Sequence, residues 1–166
     1  DSGIQYGHRG EMARKFRQLP GYIEALVSHL NYEQLTTPFI EGEWTIAQNV
    51  HHLADTQSQL FFRFKRLLLE NNPTVVPYEQ DDWATTPEAT SVDIASSISI
   101  LRGLHYRWAD LIESLTQEQW IRPGHHPING ALTVAGIGAY AAEHGYRHIE
   151  QINKTLAASQ SNEEDA

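Results

Sequence analysis

Residues 71–90 read "NNPTVVPYEQDDWATTPEAT", and the length of that stretch decides how the helices on either side of it can be arranged. Three prolines rule out an uninterrupted helix, and the segment far exceeds an ordinary helix-to-helix turn. Tyr78 and Trp83 give it apolar weight, so an ordered crossover strapped to the rest of the fold is expected. A short loop joins antiparallel neighbours, whereas a crossover can join parallel ones.

The segments on both sides have helical character. Before the crossover, a helix is expected to begin after "EGEW". Thr45 is its cap, Gln48 stands three residues on as in a capping box, and the helix runs to Leu69 or Glu70. After it, 91–115 reads "SVDIASSISILRGLHYRWADLIESL" and predicts a third helix. The outer segments are 11–30, which Pro20 is expected to break or kink, and a last helix opening at Thr133 in "LTVAGIGAYAAEHGYRHIEQINKTL". That helix should fray before "SNEEDA", leaving 158–166 as a flexible acidic tail. Asn129-Gly130 predicts a turn just before it. No stretch shows the sustained alternation of a strand. The expected architecture is an all-α four-helix bundle with one long crossover, occupying 1–166 as a single domain.

The last helix carries His144 and His148, four residues apart and therefore one above the other on one face. They fall at the edge of an apolar stripe of Val134, Ala141, Ile152 and Leu156. Half-buried imidazoles need hydrogen bonds or a shared ligand, and a tight metal site needs a third ligand. The second helix offers His51 and His52. Its stripe of Ile46, Val50, Leu53, Gln57, Leu60 and Phe64 leaves both off-centre, although His52 heads a polar row with Thr56, Gln59 and Arg63. Periodicity alone leaves the pair open.

Height along the helices adds a constraint. His52 lies roughly 10 Å from the start of its helix, and the other pair roughly 9 to 15 Å from the end of theirs if that helix stops near Lys154. They meet only if helices two and four are antiparallel. A plain up-down-up-down bundle makes those two parallel and separates the rings by about 6 to 12 Å. A crossover at 71–90 removes the conflict.

Composition narrows the chemistry. A net charge of −9 argues against nucleic-acid binding, which needs a basic surface to displace counterions. No apolar run is long enough for a membrane helix, and no basic start followed by an apolar middle marks a signal peptide. Cytoplasmic location is the default expectation. With no cysteine, thiolate ligands and a cysteine nucleophile are excluded. Nine histidines are many for this length.

Taken together, "EWTIAQNVHHLADTQSQLFFRFKRLLLE", "PTVVPYEQDDW", "LHYRWADLIESLTQEQW", "HPING" and "EHGYRHIEQI" resemble the DinB superfamily of helical-bundle metalloenzymes. Within it they are most similar to the YfiT-like branch, which includes bacillithiol S-transferases. The family pattern places one histidine eight residues after the tryptophan that heads helix two, and two more four apart on the last helix. On this chain these are His52, counted from Trp44, and His144 with His148. The resemblance thus implies His52 rather than His51, an up-down-down-up bundle, and a divalent metal, zinc or nickel. A homodimer is among the assemblies it implies. "EHGYRH" departs from the more histidine-rich version of the branch.

The expected function is transfer of a small-molecule thiol, bacillithiol-like, to an electrophile, with the thiolate activated at the metal. The alternatives are a hydrolase using metal-activated water, with Asp55 or Glu143 as catalytic base, and a metal-binding bundle without turnover. Asp55 can instead orient an imidazole. Arg147 is a candidate contact for an acidic group of the co-substrate, and Tyr78 and Trp83 are candidate pocket walls.

Overall fold

Two threonines start the two helices that matter most. In the computed structural model, which describes residues 4–164, Thr45 accepts a hydrogen bond from the Gln48 amide at 3.1 Å, and the Gln48 side chain accepts one from the Thr45 amide at 3.0 Å. This capping box satisfies donors that a helix start leaves orphaned. Thr133 does the same more simply, accepting from the Gly136 amide at 3.0 Å. The chain runs α1 (Arg9–Val27), α2 (Tyr32–Thr36), α3 (Ile46–Leu69), α4 (Gln80–Trp83), α5 (Ile94–Ser114), α6 (Gln117–Trp120), β1 (Pro123–His126), β2 (Gly130–Thr133) and α7 (Val134–Glu164). The four long helices α1, α3, α5 and α7 form the bundle.

Cross-helix partners fix its topology. Moving forward along α3, Asn49 meets His148 and Gln57 meets Ala141, so α3 and α7 are antiparallel. His51 meets Ser97 and Gln57 meets His105, so α3 and α5 are parallel. Arg17 meets Asp110 and Glu113 while Glu24 meets Arg102, which makes α1 and α5 antiparallel. The bundle is up-down-down-up, and 71–90 is the crossover between its parallel pair.

A polar layer divides the core. Gln57, on α3 and fully buried, donates to the His105 Nε2 of α5 at 3.0 Å and to the Ala141 carbonyl of α7 at 3.1 Å. The His105 Nδ1–H donates to the Phe16 carbonyl of α1 at 2.9 Å. All four long helices are tied at this level. On one side lie Phe16, Phe64 and Trp108, on the other Leu19, Ile23, Leu53 and Leu101. Burying each such side chain contributes roughly 1.5–3 kcal/mol.

Pro20 lies inside α1 and does not break it. A proline lacks the amide that would bond the carbonyl four residues back. That carbonyl belongs to Phe16, and His105 supplies the missing donor. Farther along the bundle α7 approaches α1 closely at Gly145, where a Cβ would lie 2.2 Å from Leu19. Any larger residue there would force the buried Leu19 side chain to shift.

The crossover is ordered, as its prolines and aromatics suggest. It holds α4 and a short 3-10 turn, buries Val75, Ala84 and Ala89, and is fastened by Gln48 to the Ala84 carbonyl. Arg66 bonds the Thr74 carbonyl as well. Two features depart from the sequence reading. Strands β1 and β2 form a small antiparallel hairpin, and Gly130 turns it with φ +87°. These strands are too short to show alternation. The last helix also continues past Lys154 to Glu164, so residues 158–164 extend it; residues 165 and 166 lie outside the described part.

Candidate metal centre

Antiparallel packing of α3 on α7 brings His52 level with His144 and His148. One ring nitrogen from each lies within 4.8 Å of the others, and this is the one such group of three or more potential ligands among the described residues. Ring centres are 4.6 Å apart for His52–His148 and His144–His148, and 5.5 Å for His52–His144. Trp44 walls the site, with its ring 4.6 Å from that of His52 and stacked near His148. Tyr140 stacks on His144 at 5.3 Å.

Hydrogen bonds define which nitrogens are free. Asn49 donates its amide to the Thr45 carbonyl, so its oxygen faces His148 and accepts from Nδ1–H at 2.8 Å. The neutral His148 ring therefore presents a bare Nε2. The Nε2 of His144 lies 3.1 Å from it. Nδ1 of His144 and Nε2 of His52 are buried without a partner whichever of the two rings donates across that contact. Orphaned buried polar atoms are rare and costly. Two ligands of one tetrahedral metal, each about 2.0–2.1 Å from it, lie about 3.4 Å apart, close to the spacing found here. The donor set fits a divalent cation.

Electrostatics agrees. Burial, with the charge the neighbouring rings would carry, pushes His52 down to about 3. Burial and the neighbours His148 and Arg147 push His144 down to about 3. Burial and Arg147 push His148 down to about 4. All three are neutral at pH 7, the form that binds metal. A cavity of about 300 Å³ opens beside His148, with Trp44, Asn49 and Asp81 among its walls. Glu43 also lines it but is held by Lys154 at 2.9 Å and by Gln151. Asp81 makes no ion pair among the described residues.

Other candidates lie elsewhere. His51 is satisfied at both nitrogens, by Ser97 at 2.6 Å and the Ser91 carbonyl at 2.8 Å. Asp55 lines a different cavity with His51, Ser58 and Glu88; burial and then Glu88 raise its proton affinity. Glu143 is exposed and paired with Lys15 at 2.7 Å. The structure brings neither carboxylate into the histidine group. Glu143 stands one residue before His144, a step that turns a side chain about 100° around the helix, and Asp55, although one turn after His52, is taken up on the side of His51 and Glu88. Arg147 lies over the Tyr140 ring at 5.1 Å, and Tyr78 and Trp83 lie against each other at 5.0 Å. Asn49 and Asp81 were not singled out by sequence. Asn49 carried a faint signal as a polar residue one turn before His52, and Asp81 none, because it arrives on the crossover.

Comparison with known proteins completes the description. The model of the DinB superfamily matches residues 15–152. A Geobacillus thermodenitrificans protein named "Putative metal-dependent hydrolase" is 41% identical over 145 residues, covering 86% of this chain and 80% of its own. A Geobacillus kaustophilus protein of like name is 40% identical over 152 residues, covering 90% and 84%. Among solved structures, YfiT from Bacillus subtilis superposes with a TM-score of 0.89 at 29% identity, over 96% of this chain and 92% of its own. It is described as "a probable metal-dependent hydrolase with an unusual four-helix bundle topology".

Proposed function

The chain belongs to the DinB superfamily, and from that premise we propose that it is a metal-dependent hydrolase whose divalent ion is held by His52, His144 and His148. The observation that carries the reading is the meeting of three neutral imidazoles in which Nε2 of His52 and Nδ1 of His144 are buried without a partner. An all-imidazole set suits zinc or nickel. When bound, such an ion supplies Lewis acidity and lowers the proton affinity of a water in its open position.

The chain's own residues do the rest. Asn49 fixes the tautomer and angle of His148 through the Nδ1 bond. Trp44 covers His52 and His148 and keeps bulk water from that side. Asp81, in the cavity beside His148 and without an ion-pair partner, is the carboxylate we assign to accept the proton of the attacking water. Glu43 is less suited, because its bonds to Lys154 and then Gln151 hold its proton affinity down. The relatives' names speak of hydrolysis and none of thiol transfer, so hydrolysis takes precedence.

The test is turnover of a panel of esters and amides by zinc- and nickel-loaded protein without thiol. Metal-dependent hydrolysis, lowered about 10²–10⁴-fold in Asp81→Asn, is expected. Product formed only when a small thiol is supplied with an electrophile such as monochlorobimane would replace hydrolysis with transfer.

A further inference from the structure

On a chain whose net charge is −9, one cavity of about 210 Å³ next to the histidine group is lined by a guanidinium and no carboxylate. Arg63, the far end of the polar row that His52 heads on α3, forms one wall. Its Nη2 donates to the Val76 carbonyl at 2.7 Å, its Nε is buried without a partner, and its guanidinium lies 5.8 Å from the centre of the Tyr78 ring. No carboxylate pairs with it among the described residues. A half-buried cation left this way is costly, and a bound anion would offset that cost.

The other polar walls are donors as well. His126 accepts amide hydrogens from Ile128 and Asn129 at its Nδ1, at 3.1 Å each. The neutral ring therefore carries its own proton on Nε2, as a donor. Tyr140 adds a hydroxyl and Asn129 an amide, over an apolar floor that includes Leu132 and Ile137.

We propose that this cavity is an oxyanion-binding subsite, built around Arg63, His126 and Tyr140, that takes a carboxylate or phosphate group of a small molecule. The position of Tyr140 connects it to the candidate metal centre. Its ring stacks on His144, one helical turn and thus about 6 Å along α7. An acid group held at Arg63 leaves the next few bonds of the molecule beside the histidines. The subsite itself stands on the cavity; the further statement that its occupant is the acid end of the hydrolysed substrate rests on the hydrolase reading. A guanidinium that only fastened the crossover through Val76 would need neither the surrounding donors nor the space.

Titration of metal-free protein with inorganic phosphate, and separately with succinate, followed by calorimetry and by the arginine Nε signals in NMR, tests the subsite. Saturable binding at millimolar anion is expected, weakened at least about tenfold in Arg63→Gln and partly retained in Arg63→Lys, which keeps the charge but not the fork. Exposed Arg14→Gln, with the same charge loss, and His148→Ala are expected to bind as the parent does. Tighter phosphate than succinate would mark a phosphate ester as the occupant, and the reverse a carboxylate. Failure of the parent to saturate, equal binding by Arg63→Gln, or loss of binding in His148→Ala alone would overturn the proposal. If Arg63→Gln does not fold, Tyr140→Phe and Arg63→Lys read the same site, and normal binding by both overturns it. With active enzyme, kcat/KM for an acid-bearing ester should fall about tenfold in Arg63→Gln while a neutral ester is unaffected. Absence of any ester turnover would sink the hydrolase reading and leave the phosphate result to decide the subsite.

Discussion

Two layers of buried histidine cross this bundle about 7 Å apart along α3, one at Gln57 and His105, the other at His52, His144 and His148. Burial lowers the proton affinity of His105 to about 4 and those of the three to about 3–4. What separates the layers is the state of their ring nitrogens. In the first, Nδ1 donates to a carbonyl that Pro20 left free and Nε2 accepts from Gln57. In the second, nitrogens face one another, and two have no partner. A buried histidine is structural when its hydrogen bonds are complete, and a ligand candidate when several incomplete ones converge.

The largest effect expected is on metal. His52→Ala and His148→Ala should each take bound zinc or nickel, read by elemental mass spectrometry, from near one per chain to near zero, and turnover should drop at least about 100-fold. Retained stoichiometry in both variants would erase the distinction between the layers.

His105→Leu should do the opposite. It strands the Phe16 carbonyl and the Gln57 amide in the core, so urea denaturation is expected to show a loss of about 2–4 kcal/mol with metal content unchanged. Asn49→Ala comes next, with metal affinity about 10–100-fold weaker in competition with a chelator and the stoichiometry intact. Full affinity there would mean that His148 does not depend on Asn49 for its orientation.

A change of pH acts on both layers at once. These rings have folded-state values of about 3 to 4 against about 6.5 unfolded. Below pH 6.5 the unfolded chain therefore binds more protons than the folded one. Stability of metal-free protein is fully present above 6.5 and is lost as pH falls toward 4, by up to about 2 kcal/mol per ring at pH 5. Flat urea midpoints from pH 7 to 5 would contradict the burial argument. The smallest effects should be those of Asp55→Asn and Glu143→Gln. Neither should change metal content, and the exposed Lys15–Glu143 pair is worth under about 1 kcal/mol.

Much of the bundle was legible because its signals are local. Thr45 with Gln48 marks a helix start through hydrogen bonds between neighbours in sequence, and prolines with aromatics mark the crossover. The four-residue spacing of His144 and His148 needs only helix periodicity. That Pro20 leaves its helix unbroken could not be read the same way: the donor that takes up the freed Phe16 carbonyl sits on His105, remote in sequence and on another helix. The hairpin escaped notice because strands of four residues lie below the length at which alternation can be recognised.

The choice between His51 and His52 shows where sequence stops. Both are buried, on adjacent positions of one helix, and periodicity treats them nearly alike. Packing separates them, since α5 and the crossover end bring Ser97 and Ser91 to His51, while α7 brings His144 and His148, whose Nε2 atoms face each other, to His52. Likewise nothing near Arg63 or Asp81 in the chain announces which cavity each will line. By itself the sequence determined the helices, their caps, the need for a crossover and the spacing of two histidines, because these follow from contacts within a turn or two. Only the tertiary structure decided which polar groups meet and which are left wanting a partner, because burial and hydrogen-bond completion are properties of what packs against a residue.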